Sequence, residues 1–185
     1  MTTDPRWGRV PENFGESELL VALMGAAETR GLLGPGGGGG PSTYLPSNFS
    51  LIATAKHAIA YGASNADGYA VDASTRLLHD VYLKPWREFA AAGGRGLMVS
   101  HPALNDVPMH ANAVVLNATL RSLPGLEGAV FGSDNENVRW LSDSFEFAAN
   151  ESDAAVRVSW GGGRRQPLSG AQARPPAPPP PPPIA

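Results

Sequence analysis

The chain has 185 residues, a formal net charge of -3, 42% hydrophobic residues and no cysteine. That length suits one domain; the missing thiols exclude disulfides, thiolate zinc sites and thiol catalysis, and the lack of a basic cluster argues against a nucleic-acid partner. The opening MTTDPRWGRV has no apolar signal-peptide core and no run of about 18 apolar residues occurs, so neither a leader nor a membrane span is written here.

Between Ser17 and Leu33 the apolar residues Leu19, Leu20, Leu23, Met24 and Ala27 recur at helical spacing behind Glu16 and Glu18, which predicts a first helix. GPGGGGGPS at 34–42 breaks it. Without a following Gly-Lys-Ser/Thr this run reads as a flexible insertion and not as a phosphate cradle. LIATAKHAIAYG at 51–62 is a strand candidate that turns polar at Lys56 and His57. Ser74 to Ala92 reads as a second helix, capped by Ser74, kinked at Pro85, with Leu77, Val81, Trp86 and Phe89 toward a core.

GLMVSH at 96–101 is the second strand, Ala111 to Leu123 a third helix, GAVFGSD at 128–134 the third strand, and Glu136 to Ala149 a fourth amphipathic stretch. No hairpin signal separates the strands. Alternation of this kind predicts an α/β fold with about three parallel strands joined by right-handed crossovers, and short apolar strands suit burial on both faces. This unit is placed at residues 1–152. Residues 153–185 read as a disordered Gly/Arg/Pro-rich tail ending RPPAPPPPPPIA, a polyproline II segment of the kind that profilin, SH3 or WW domains bind. The Asn-x-Ser/Thr triplets at Asn48, Asn117 and Asn150 carry meaning only in a secreted chain.

Each strand ends in chemistry: Lys56-His57, Ser100-His101 and Ser133-Asp134. Taken singly, each has an ordinary reading, such as a solvated strand end, a turn before Pro102, or a helix N-cap at Asp134. Taken together, parallel strands bring all three ends to one face, where such folds carry their active sites. An acid among cations and imidazoles suits a metal site, a general base, or a nucleophile toward an acetal carbon. His101, Asp106 and His110 share a loop but lack the usual metal-ligand spacing, so no metal is expected. Ser133 lacks a G-x-S-x-G elbow. Sugar chemistry needs Arg, Lys and His for hydroxyls plus an ionised carboxylate, and those types are present.

The blocks DPRWGRVPENFGE at 4–16, ATAKHAIAYGAS around Lys56-His57, STRLLHDVYLKPWREF at 74–89, MVSHPALNDVPMHAN at 98–112 and GAVFGSD resemble, in that order, the barrel domain of family-three glycoside hydrolases, the β-glucosidase and β-xylosidase group. The resemblance implies a partial (β/α)8 TIM barrel that needs no cofactor, with a β-linked oligosaccharide or glycoside as its partner. It also implies that Asp134 is the catalytic nucleophile of a retaining, exo-acting β-glycosidase. Arg9, Lys56 and His57 match residues that grip sugar hydroxyls, and His101 is a further substrate-binding candidate. Arg9 and Lys56 are expected to keep Asp134 ionised by proximity of charge.

The chain departs from the family pattern at His101-Pro102, where a Tyr-Asn pair is usual. Asn135 stands where a Trp commonly follows the nucleophile, removing a stacking platform, and Pro11, Asn13 and the glycine run also differ. A whole barrel takes about 250 residues; this sequence offers roughly half, beginning about where the family's third strand ends. Retention needs a second carboxyl about 5 Å from the first, and neither Glu12, Glu16 nor Glu136 is singled out for that role. Two other readings stand beside the enzyme: an inactive sugar-binding remnant or truncated gene product lacking the acid/base, and an interaction module acting through the proline tail.

Overall fold

The computed structural model describes residues 1–34, 51–63 and 70–159. Most of the glycine run, the Asn48 triplet and the proline tail lie outside these residues. In chain order the elements are α1 (Glu18–Leu33), β1 (Thr54–Ala58), β2 (Ala70–Val71), α2 (Thr75–Leu77), α3 (Lys84–Ala91) and β3 (Gly96–Val99), then β4 (Ala103–Leu104), β5 (Val107–Pro108), β6 (Val130–Gly132), α4 (Asn137–Asp143) and α5 (Glu151–Ser159). The three expected strands pair in parallel in the order β1-β3-β6. With helices flanking this sheet, the unit is part of a (β/α)8-type barrel.

Register in the sheet is set by close packing at its start. Gly96 lies opposite Thr54, and a Cβ at Gly96 would overlap the Thr54 side chain. From there Leu97 pairs with Ala55 on one side and with Phe131 on the other, fully buried in the main core with Ile59, Leu83, Leu120 and Leu126. A second sheet of short strands has the order β2-β4-β5 and was not expected. Its β4 and β5 form a hairpin through Asn105 and Asp106, both with positive φ, the conformation a tight two-residue hairpin turn requires. Asn105 adapts to that backbone and also braces the preceding loop, exchanging hydrogen bonds with the Ala73 N–H and carbonyl at 2.8 and 3.0 Å.

Ser17 caps α1, its side chain accepting the Leu20 N–H, and Gly34 ends it at φ 72, a left-handed value that glycine takes freely. The buried side of α1 is Ala22, Ala26, Thr29 and Leu33, while Leu19, Leu20, Leu23 and Met24 face outward. Small residues let α1 lie close to α3, where Glu18 and Lys84 meet at 3.2 Å. The large apolar residues that announced this helix are therefore not the ones that hold it.

Ser74 caps α2 through the Leu77 N–H, as the sequence indicated. The kink at Pro85 takes another form. Residues Leu78–Tyr82 open into a π turn in which the Leu83 N–H donates to the Leu78 carbonyl at 2.9 Å, and Pro85 then opens α3, where its missing N–H costs nothing. The extra residue rotates the helical face. Tyr82 and Leu83 turn inward with Trp86 and Phe89, whereas Leu77 is exposed and Val81 only half-buried.

The predicted third helix is likewise a 3-10 turn at Met109–Ala111 followed by a π helix at Val114–Leu120. The fourth is shorter than its pattern, ending at Asp143. The helix α5 crosses the position near 153 where the composition changes, and its Ala154 is fully buried beside Leu141 and Ala148. Truncating Leu97 to Ala should cost 2–5 kcal/mol, by order of magnitude about that of other core leucines, whereas Leu23→Gln should change stability by less than about 0.5 kcal/mol. Urea denaturation of the two variants measures both.

Candidate active site

The three parallel strands deliver Lys56-His57, Ser100-His101 and Ser133-Asp134 to a common edge of the sheet. Asp134 Oδ2 lies 2.6 Å from His101 Nε2 and 3.1 Å from His57 Nε2. The other carboxylate oxygen, Oδ1, accepts the Asn135 N–H at 2.6 Å. Asp134 is not the cap of the following helix: Glu136 holds that position, in a left-handed conformation and without a side-chain cap bond. The acid at the end of the apolar strand is thus turned into the cluster.

Both imidazoles are largely shielded, with side chains 5% exposed for His57 and 10% for His101. Burial pushes the His57 ring down to about 4, and the positive charges of Arg9 and Lys56 add to it while Asp134 opposes. His101 is lowered for the same first reason, against the pull of Asp134 and Asn137. At neutral pH both rings are therefore neutral. For Asp134, burial raises the carboxyl, but the Asn135 N–H, followed by His101, His57 and Arg9, outweighs it and leaves the group below its ordinary value. Because the rings are neutral at pH 7, we assign the larger share to the backbone N–H, which donates at any pH.

Arg9 and Lys56 are held by a different acid. Arg9 grips Glu12 through Nε and Nη2 at 2.6 and 2.7 Å, and Lys56 Nζ reaches Glu12 Oε2 at 2.9 Å. Those two bonds hold Glu12 at about 2. Arg9 still lowers Asp134 by its charge, as expected, and Glu12, ionised at neutral pH, carries no proton to donate. Glu16 and Glu136 are exposed.

Aromatic rings that the sequence reading did not single out wall the cluster. Tyr61 stands 5.0 Å from His57, 4.8 Å from His101 and 5.2 Å from Trp7, and the Arg9 guanidinium lies over its ring at 5.3 Å. Trp140 of α4 stacks obliquely on His101 at 5.5 Å. An aromatic face therefore flanks the site although Asn135 follows the acid. Gly62 makes the N-terminal approach possible: its carbonyl accepts the Thr3 and Asp4 N–H groups at 2.9 and 3.0 Å, and a Cβ there would overlap the Met1 carbonyl. Trp7 and Arg9 reach Tyr61 through this contact.

Asn137 also belongs to the site. Its Nδ2 donates to the Asn135 carbonyl at 2.8 Å, which turns Oδ1 to His101 Nδ1 at 2.9 Å. His110 Nε2 lies 3.2 Å from Ser133 Oγ, and burial pushes that ring down to about 4. Asp106, on the hairpin turn, is exposed. Among the described residues, the His/Asp group spaced for a common ligand is His57, His101 and Asp134.

Parallel strands gather an acid and polar side chains at one edge of the sheet, and the comparisons with known proteins name the family. The glycosyl hydrolase family 3 N-terminal domain matches residues 1–159. A β-xylosidase of Formosa agariphila is 36% identical over 156 residues, covering 83% of this chain and 21% of that protein. A periplasmic β-glucosidase of Salmonella typhimurium is 30% identical over 161 residues, covering 86% and 20%. Among solved structures, a β-glucosidase of Erythrobacter marinus aligns with a TM-score of 0.76 at 33% identity, over 88% of this chain and 21% of that one. The chain belongs to glycoside hydrolase family 3. It spans about a fifth of the length of the curated relatives it matches.

His57 and His110, neutral in the fold at pH values where an unfolded histidine is protonated, make stability pH-dependent. The unfolded chain binds more protons between about 6.5 and 4, so stability should be full above about 6.5 and fall toward pH 4. Urea midpoints measured across that range should rise with pH, and His110→Gln should flatten the slope, by at most about 3 kcal/mol over the window.

Proposed function

We propose that the chain is the nucleophile-bearing part of a retaining β-glycosidase that removes terminal β-glucosyl or β-xylosyl units. The observation that carries this reading is the Asp134 carboxylate, ionised and turned into a shielded, ring-walled cluster on the strand-end edge. An Asp134 oxygen attacks the anomeric carbon, the bond from that carbon to the leaving oxygen breaks, and a glycosyl ester forms; water then cleaves the ester with overall retention. Arg9 and Lys56, clamped on Glu12, offer N–H groups to sugar hydroxyls. His57 and His101, neutral and close to Asp134, donate or accept toward a hydroxyl beside the anomeric centre. Trp7, Tyr61 and Trp140 supply apolar faces for a sugar ring.

Sugar ligands in family relatives support the substrate class: structures of the Listeria innocua β-glucosidase hold glucose and isofagomine. A second carboxyl poised as acid is not found among the described site residues, since Glu12 is ion-paired. Leaving-group departure would then depend on the leaving group itself, and natural glycosides should turn over little in this chain alone.

An activated fluorosugar separates the enzyme from an inactive remnant. A dinitrophenyl 2-deoxy-2-fluoro-β-glucoside or β-xyloside needs no acid to release its phenolate, so it should leave a glycosyl ester on Asp134, read by mass spectrometry, and none in Asp134→Ala. Parallel assays on an ordinary aryl β-glucoside and β-xyloside should give little turnover. An unlabelled Asp134, or turnover that survives Asp134→Ala, contradicts the nucleophile assignment.

A further inference from the structure

Helix α1 is apolar on more sides than it buries. Residues 19–27 read LLVALMGAA, nine in succession without a charge, and a helical segment apolar on every side is normally covered on every side. Only Ala22, Ala26, Thr29 and Leu33 are buried, on the side that packs against α3. At about 100° per residue, Leu19, Leu23 and Ala27, flanked by Leu20 and Met24, form a second stripe pointing away from that contact. The four large side chains in it are between 45% and 56% exposed.

The stripe has a direction along its length. Leucines build its first half, and Ala27 and Gly31 its second; an acid, Glu16, stands just before it and a base, Arg30, lies at its far end. Both charged side chains are exposed, and among the described residues neither has an ion-pair partner. Arg30 follows Leu23 by seven residues, two helical turns, and Glu16 precedes Leu23 by the same interval.

We propose that this stripe is the contact between two copies of the chain, packed antiparallel about a two-fold axis at Leu23. In that arrangement Leu23 meets its own copy, Leu19 of one chain lies over Ala27 of the other, and Glu16 faces Arg30 at both ends of the contact. Large side chains then fill the space over small ones, both charge pairs are opposite in sign, and the two helix dipoles are opposed. A parallel pairing would instead set Glu16 against Glu16 and Arg30 against Arg30. With Arg30 as its single cation, the stripe lacks the row of Lys and Arg that seats an amphipathic helix on a membrane. A two-fold contact is self-complementary and ends association at the dimer. Three helical turns lie at the small end of specific interfaces, so a dissociation constant on the order of 10 µM is expected. No residue of the stripe belongs to the strand-end cluster, and the proposal does not rest on the glycosidase reading.

The test is sedimentation velocity of the full chain from about 1 to about 100 µM, across which monomer should give way to dimer. Leu23→Glu, which places two like charges on the axis, should stay monomeric throughout, with an unchanged circular dichroism spectrum showing that it folds. Reversing one charge, by Glu16→Arg or by Arg30→Glu, should weaken dimerisation at least about threefold, and the double reversal should restore it. Because the chain has no cysteine, one introduced thiol reports orientation: Leu23→Cys should oxidise to a covalent dimer and Arg30→Cys should not. A chain monomeric at the highest concentration, dimers that persist in Leu23→Glu, or a covalent dimer from Arg30→Cys and none from Leu23→Cys would overturn the proposal. None of these readouts involves a sugar, so they are independent of the fluorosugar result.

Discussion

Parallel pairing of β1, β3 and β6 is the constraint on which the site depends. A one-residue slip in any of these strands would send alternate side chains to the opposite face. The lock is steric as well as hydrophobic: Gly96 can lie against Thr54 only because it has no side chain, and Leu97 one residue later is buried between Ala55 and Phe131. Once that register is set, His57, His101 and Asp134 meet without any local sequence relation among them.

Charge within the cluster is divided between two acids. Glu12, exposed enough for solvent to share the cost, takes Arg9 and Lys56. Asp134 is left with two neutral rings and one backbone N–H. The guanidinium and ammonium are thereby held beside the cluster without neutralising its carboxylate.

What the sequence disclosed follows from which interactions are local. Ser17 and Ser74 cap helices within three residues of themselves, and the apolar strands carry their polar ends on the page, so the alternation and the three parallel strands were legible. The π turn before Pro85 was not, since one extra residue in a helical turn leaves no mark on the apolar spacing, and its effect is to turn Leu77 out and Tyr82 in. Nor was the outward face of α1, because close approach to α3 selects alanines over leucines. The hairpin escaped notice because Asn105-Asp106 lacks the glycine that usually marks such a turn. At the site, Asp134, His57 and His101 could be placed from strand ends, whereas the Glu12 clamp, Asn137 and the ring wall of Tyr61 and Trp140 depend on contacts between distant segments.

The claim underlying all of this is that Asp134 sits ionised between His57 and His101. Carbon-13 NMR of the aspartate carboxyls, with the Asp134 signal identified by its loss in Asp134→Asn, measures that state directly. The account predicts a titration midpoint below the ordinary aspartate value of 3.8, with the same signal responding when either imidazole is replaced. A midpoint at or above 3.8, indifferent to both histidines, would contradict it.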